Sequence, residues 1–280
     1  MSADDAILRA TDVSCVFGAG GMFSGGKQVR AVDGVSLHIG PQETLGIVGE
    51  SGSGKSTMAR VLLGLQKPTS GTVEFDGVEY SKMNRAQRWQ FHQSVQVVFQ
   101  DPGTSLNPRK SVAKILSEVL KLHRKASDDA VLDRVIEVLD SVGLPPEIAY
   151  RMPHELSGGQ KQRVAIGRAI AMEPKVIIAD EALSALDVSI QAQVLKLMKD
   201  LQRDLKVSYV FISHDLGVVR EIADRVAVMH NGKVEETGVT REVLDNPQTA
   251  YTQGLIAARF IANPHEARRV RLAKELSGAA

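Results

Sequence analysis

Gly49-Glu50-Ser51-Gly52-Ser53-Gly54-Lys55-Ser56-Thr57 is the stretch that decides the fold of this chain. It has the form G-x-x-x-x-G-K-[ST]. Its glycines let the backbone curl so that successive N–H groups face one anion. Lys55 is placed to reach the β- and γ-phosphates of a nucleotide, and the Ser56 hydroxyl to ligate Mg²⁺. The flanks agree. Thr44-Leu45-Gly46-Ile47-Val48 reads as a buried strand. Ser56 through Leu65 reads as a helix whose N-terminus adds positive dipole to the phosphate site. A Gly/Ser-rich turn without a ligand needs neither the lysine nor the hydroxyl at this spacing.

A second stretch, Leu156-Ser157-Gly158-Gly159-Gln160, precedes Lys161-Gln162-Arg163-Val164-Ala165-Ile166. Ser157 is a good N-cap and Gln160 stands three residues on, so the pair makes a capping box. The two glycines leave the first-turn amides uncovered, which opens another helix N-terminus to an anion. The chain's own triphosphate is already served by the phosphate loop. The spare site therefore suggests a nucleotide held by another subunit. Spacing alone also allows an ordinary capped helix.

In these two stretches, and from about Ile7 to about Ile256, the chain resembles the ATP-binding subunits of ABC transporters. Four further motifs match in order. Val98-Phe99-Gln100-Asp101 resembles the family's glutamine loop. Val176-Ile177-Ile178-Ala179-Asp180-Glu181 resembles its Walker B strand and the acidic residue after it. Ser184-Ala185-Leu186-Asp187 resembles the D-loop, and Ile212-Ser213-His214-Asp215 the switch histidine. Local wording narrows the likeness to importers of dipeptides, oligopeptides and nickel. Phe99 to Arg109, Ser184 to Val194, and Asn246-Pro247 followed by Ala250 to Leu255 carry that wording. A departure is Ala182, where the subfamily usually has proline; alanine is expected to loosen that turn without removing a catalytic group.

The resemblance implies ATP and Mg²⁺ as cofactors and assigns roles. Ser56 and Gln100 hold Mg²⁺ directly and Asp180 through water, all with the oxygen ligands this ion prefers. Glu181 is the general base for the attacking water. His214 contacts the γ-phosphate and positions Glu181 and the water. Ser157, Gly158, Gly159 and Gln160 bind the nucleotide of a partner cassette, and Asp187 reaches across the dimer. Phe17 matches the aromatic residue that stacks on adenine; a core phenylalanine is the alternative, because the glycine-rich run Gly18 to Gly26 disturbs the register.

Composition bounds the setting. The 280 residues carry 34 Lys and Arg against 33 Asp and Glu, a net charge of +1. There is thus no electrostatic case for nucleic-acid binding. No stretch reaches the roughly 18 apolar residues that a spanning helix needs. The N-terminus is acidic at Asp4 and Asp5 and shows no secretory apolar segment. Cys15 is the only cysteine, so no internal disulfide forms, which suits a reducing compartment. It reads as a small strand residue. The cysteine cluster that some related subunits carry near the C-terminus, suited to an iron–sulfur centre, is excluded.

The expected fold class is α/β: a P-loop NTPase core with a mainly parallel sheet, an N-terminal antiparallel β-layer over residues 7 to about 47, and an inserted helical subdomain. Residues 44–100 read as a strand, the phosphate-loop helix, a β-segment and a strand ending at Gln100. The division is 7–100 and 166–240 for β-layer and nucleotide core, 101–165 for the helical subdomain, and 241–280 for a C-terminal extension, all within one domain over 1–280. Val131, Leu132, Val135, Ile136, Val138, Leu139 and Val142 have helical spacing, with Asp128 and Asp129 near the start and Gly143 past the end. Further strands are expected at 176–179, 208–212 and 226–229, and alternating β and α places a ligand at the strands' carboxyl ends. The tail from Arg259 reads as a solvated helix. The resulting expectation is an ATPase subunit on the cytoplasmic face of a membrane. It would drive uptake of a peptide-like solute, or nickel, through two separate permease subunits, paired with a second ATPase subunit (a paralogue or itself) and served by a solute-binding protein. The alternative is a soluble mechanical ATPase, whose related chains usually carry two cassettes or a long coiled coil.

Overall fold

The structure is a computed structural model that describes residues 5–18, 28–123 and 128–262. Most of the glycine-rich run and the end of the tail lie outside these residues. In chain order the elements are β1 (Leu8–Phe17), β2 (Val29–Ile39), β3 (Thr44–Val48), α1 (Lys55–Leu62), β4 (Ser70–Phe75), β5 (Val78–Glu79), α2 (Arg85–Ser94), β6 (Val95–Val98), α3 (Pro102–Ser105), α4 (Val112–His123) and α5 (Asp128–Ser141). They continue with α6 (Gly158–Ile170), β7 (Val176–Asp180), α7 (Val188–Leu205), β8 (Ser208–Ile212), α8 (Leu216–Ile222), β9 (Arg225–His230), β10 (Lys233–Val239), α9 (Thr240–Asp245) and α10 (Ala250–Ala262).

The strands form two sheets. One is antiparallel, in the order β2-β1-β4-β5. The other runs β10-β9-β3-β8-β7-β6 and is parallel except for the β9–β10 hairpin. The expected antiparallel layer thus keeps β1 and β2, gains β4 and β5, and gives up β3. The reason is visible in β3 itself: every residue of it is buried, as befits a strand covered on both faces.

Alternation along the parallel strands splits the interior into two cores. Leu45, Ile47, Val176, Ile178, Val210, Ile212, Ala227 and Met229 face the antiparallel sheet and α1. Val48, Ile177, Ala179, Tyr209, Phe211, Val226 and Val228 face the core shared with α4 to α8. A period of two is what a strand buried on both faces must show. In α5, Val131, Val135, Val138 and Leu139 are buried, as is Val142 just past its end, while Leu132 and Ile136 stay exposed. Helix α6 packs on α4 and α5 and also on β6, so the chain runs without a break through position 165.

Two ends differ from expectation. Helix α1 stops at Leu62, because Gly64 takes a left-handed φ of 68° and Leu65 N–H turns back to the Arg60 carbonyl. Strand β6 stops at Val98. Asp101 N-caps α3, with Pro102 at the first helical position, so the chain is already turning at Gln100.

Candidate active site

Strand register assembles the site. In the parallel sheet Ile47 pairs with Ile212, Asp180 with Ile212, and Val98 with Ala179. The residues just past these positions are the phosphate loop after β3, Glu181 after β7, His214 after β8 and Gln100 after β6. Four motifs far apart in sequence therefore fall along one edge, at the carboxyl ends of the strands.

The phosphate loop is shaped by what crowds it. A Cβ on Gly49 would stand 2.1 Å from the Met229 carbonyl oxygen, and one on Gly54 2.2 Å from that of Ala31. Both glycines also have positive φ, 148° and 104°. Gly54 starts α1 with no side-chain cap, so the first-turn N–H groups lack a side-chain partner. Lys55 is buried, and its Nζ donates to the carbonyls of Gly49 at 2.8 Å and Glu50 at 2.7 Å. Burial lowers its pKa, while the carboxylates of Glu181, Asp180 and Glu50 pull the other way. Glu50 and Ser51 are exposed, Ser53 is buried and Thr57 is half-buried.

Across the sheet edge, Ser56 Oγ donates to Asp180 Oδ1 at 3.3 Å. Burial raises the Asp180 pKa, helped by the neighbouring Glu181 carboxylate and opposed by the Ser56 hydrogen bond. Paired hard oxygens beside a buried lysine fit Mg²⁺ and phosphate. Glu181 adopts a left-handed φ of 49°, a conformation that costs a non-glycine residue about 1–3 kcal/mol and is found at functional sites. It is held there on both sides. Its N–H donates to the Ile212 carbonyl at 2.9 Å, and its own carbonyl accepts from Ser184 N and Oγ at 3.1 and 2.9 Å. These bonds fix the turn that contains Ala182, itself buried. His214 Nδ1 lies 3.5 Å from Glu181 Oε1. Gln100 is exposed beside this edge.

Ser157 caps α6 and forms the expected box with Gln160: Ser157 Oγ accepts from Gln160 N at 3.3 Å, and Gln160 Oε1 from Ser157 N at 3.0 Å. The two glycines differ. A Cβ on Gly159 would lie 2.7 Å from Ile190 Cγ2, so its missing side chain is filled by α7 rather than left open. A Cβ on Gly158 would meet Leu186 at an ordinary 3.6 Å. The start of α6 thus sits against the segment carrying Asp187. Asp187 N-caps α7, accepting from Ile190 N at 3.0 Å and Ser189 Oγ at 2.7 Å; the Ile190 bond leads in lowering its pKa. Phe17 is 41% exposed at the end of β1, opposite Val29, and belongs to neither buried core.

Two supports of the loop were given no role from the sequence, although Tyr251 lies within the Ala250 to Leu255 run. Gly232 N, in the β9–β10 turn, donates to the Ser53 carbonyl at 3.0 Å, and Tyr251 Oη accepts from Glu50 N at 3.3 Å. Asn231-Gly232 is legible as a hairpin turn, but its contact with the loop is not.

Fold and site together define a phosphate-loop nucleotide-binding cassette with an inserted helical lobe. The family model described as ABC transporter matches residues 32–184, and the chain belongs to that family. It is 47% identical over 252 residues to the glutathione import ATP-binding protein GsiA of Salmonella typhimurium (strain LT2), covering 89% of this chain and 40% of that one. The chain therefore spans about 40% of the length of the glutathione-import relatives it matches. It is 48% identical over 230 residues to the oligopeptide transport ATP-binding protein OppF of Lactococcus lactis subsp. lactis, covering 82% of this chain and 72% of the relative. Among solved structures, CbiO1 of Clostridium perfringens superposes with a TM-score of 0.76 at 28% identity, over 95% of this chain and 99% of that one. The cassette MJ0796, dimeric and bound to ADP and Pi, gives 0.72 at 29% identity, over 84% and 99%.

Proposed function

We propose that this chain is the ATP-hydrolysing subunit of an importer of peptide-like solutes, or of nickel. The observation that carries the chemistry is the alignment of Ser56, Asp180, Glu181 and His214 along one sheet edge, with Ser56 to Asp180 at 3.3 Å and Glu181 to His214 at 3.5 Å. The relatives that import glutathione and oligopeptides support the direction and solute class. They also speak against the soluble mechanical alternative.

In this reading the uncapped amides at the start of α1 and the Lys55 ammonium bind the β- and γ-phosphates. Ser56, Asp180 and Gln100 would hold Mg²⁺, which when bound offsets phosphate charge. Glu181 accepts a proton from water as that water's oxygen bonds to the γ-phosphorus and the bond to ADP breaks. The proton then passes to solvent, leaving ADP and inorganic phosphate. His214 steadies the Glu181 carboxylate and donates toward the γ-phosphate. Phe17, exposed at the β1 end, offers a ring face for adenine.

Two cassettes would lie head to tail with two ATP molecules between them. Each nucleotide would meet Lys55 of one chain and Ser157, Gly158 and Gly159 of the other chain or a paralogue. The adjacency of the α6 start and the Asp187 segment supports a shared face. The loop from Gln100 to Arg109 would dock two permease subunits at the cytoplasmic side of the membrane, with a solute-binding protein acting beyond them. Among the described residues no helix is long and apolar enough to cross a membrane. The loop is tied at both ends: Gln100 lies beside the site, while the Ser105 carbonyl accepts from Arg168 at 2.6 Å and Leu106 is fully buried.

Uptake by a strain lacking this gene tests the reading. Labelled dipeptides, oligopeptides, glutathione and nickel are offered, with rescue by wild type or Glu181→Gln. Uptake of one solute restored by wild type alone supports the proposal. Undiminished uptake of all four in the deletion strain contradicts it.

A further inference from the structure

One peptide unit of the phosphate loop is gripped from two sides. The carbonyl of Gly49 accepts from Lys55 Nζ at 2.8 Å. The N–H of Glu50 belongs to the same peptide plane, and it donates to Tyr251 Oη at 3.3 Å, from a residue 201 positions away. A peptide unit is planar, so holding its N–H also aims its carbonyl. The Tyr251 hydroxyl and the Lys55 ammonium therefore share one rigid plate.

Tyr251 is itself braced. Its ring lies flat on the imidazole of His230, with centroids 3.9 Å apart and planes 11° from parallel. His230 ends β9, and its Nδ1 stands 3.5 Å from Glu235 Oε1. The start of α10 is pinned to β10: Glu236 accepts from Gln248 N at 2.9 Å, Thr249 N at 3.2 Å and Thr249 Oγ1 at 3.2 Å. Thr252, fully buried, completes the turn through its 2.8 Å hydroxyl pair with Thr249. Strands β9 and β10 also reach the loop directly, through Gly232 N to the Ser53 carbonyl. The element carrying Tyr251 is thus fixed to the same hairpin that buttresses the loop.

We propose that Tyr251 is a positioning residue: through the Gly49–Glu50 peptide it sets the place of the Lys55 ammonium, and so links α10 to nucleotide affinity. The link rests on the ATP-binding reading above. It works both ways, because a contact that changes affinity for one ligand must be changed by that ligand to the same extent. Engagement of Lys55 by phosphate alters the hold on Tyr251, and a partner that moves α10 alters Lys55.

The test uses the full chain, titrated with the magnesium complex of a non-hydrolysable ATP analogue, and amide hydrogen exchange with and without it. Tyr251→Phe keeps the stacked ring and removes only the hydroxyl. It is expected to weaken the analogue by about 2–10-fold, the worth of one hydrogen bond, and to speed exchange at the Glu50 amide in the nucleotide-free protein. The thermal midpoint should hold. His230→Phe keeps the stack and should behave as wild type, whereas His230→Ala should follow Tyr251→Phe. Nucleotide should change exchange over residues 250–258 in wild type and not in Tyr251→Phe. Wild-type affinity together with wild-type Glu50 exchange in Tyr251→Phe overturns the proposal. If wild type itself fails to bind the analogue, the ATP-binding reading fails instead, and Glu50 exchange in the free protein still judges the Tyr251 contact.

Discussion

His214 Nδ1 stands 3.5 Å from Glu181 Oε1, across two strands that lie side by side. The same strand that delivers His214 also holds the Glu181 backbone, since Glu181 N donates to the Ile212 carbonyl. Strand β8 thus fixes this carboxylate at both its main chain and its side chain. The positive φ of Glu181 is the cost of turning it toward His214 rather than along the strand.

His214→Ala should leave nucleotide affinity within a few-fold of wild type and cut hydrolysis by about 10²–10³, the usual loss on removing one group that stabilises the transition state. Single-turnover hydrolysis beside equilibrium binding separates the two effects. Equal losses in both would assign His214 to ground-state binding alone.

Lys55→Ala should abolish tight ATP binding and transport together. The ammonium is buried among the loop carbonyls, and in the proposed site it is the side-chain cation that meets the phosphates. Isothermal titration gives the affinity, and an unchanged value would defeat the assignment.

The two signature glycines should separate. Gly159→Ala drives a Cβ to 2.7 Å from Ile190 and should cost about 1–3 kcal/mol by overpacking. Gly158→Ala meets only Leu186 at 3.6 Å and should fold normally. Gly158→Asp should fold and bind nucleotide but fail to hydrolyse it, because in the proposed shared site a carboxylate would face the partner's γ-phosphate. Urea midpoints and ATPase rates read these outcomes. A fully active Gly158→Asp chain would remove Gly158 from the shared site.

Stability should fall in mild acid, partly through His38. Its Nε2 lies 3.2 Å from Arg225 Nη1, which also donates to Glu43 Oε1 at 2.9 Å. Burial first, then the charge of Arg225, lowers the His38 pKa from 6.5, with Glu43 opposing and Arg9 adding to the shift. The unfolded chain therefore takes up this proton first. Above pH 6.5 the group is neutral in both states; as pH drops below that value toward the folded-state pKa, stability is lost. Urea midpoints at about pH 7.5 and about pH 5.5 should show a larger loss for wild type than for His38→Gln. Equal losses would acquit His38.

Much of this was legible because the informative residues are local. Lysine, hydroxyl and glycine spacing marks the phosphate loop, and Ser157 with Gln160 marks a helix start. Less was legible where chemistry is diffuse. Helix α2 buries only Phe91, so it shows no apolar stripe, though its Asn84–Gln87 capping box was there to be read. Strand β10, Lys233 to Val239, buries no residue fully and lacks an apolar face. The filling of Gly159 by Ile190, the turn at Glu181 and the reach of Tyr251 depend on tertiary approach, which no local pattern encodes.

Hydrolysis by Glu181→Gln in the assembled transporter is the decisive measurement of whether Glu181 is the general base. Glutamine keeps the size of the side chain and loses the proton acceptor. A general base contributes about 10²–10⁴ to the rate. Glu181→Gln should keep ATP binding and turn over at least about a hundredfold more slowly than wild type. Near-normal steady-state turnover would contradict it.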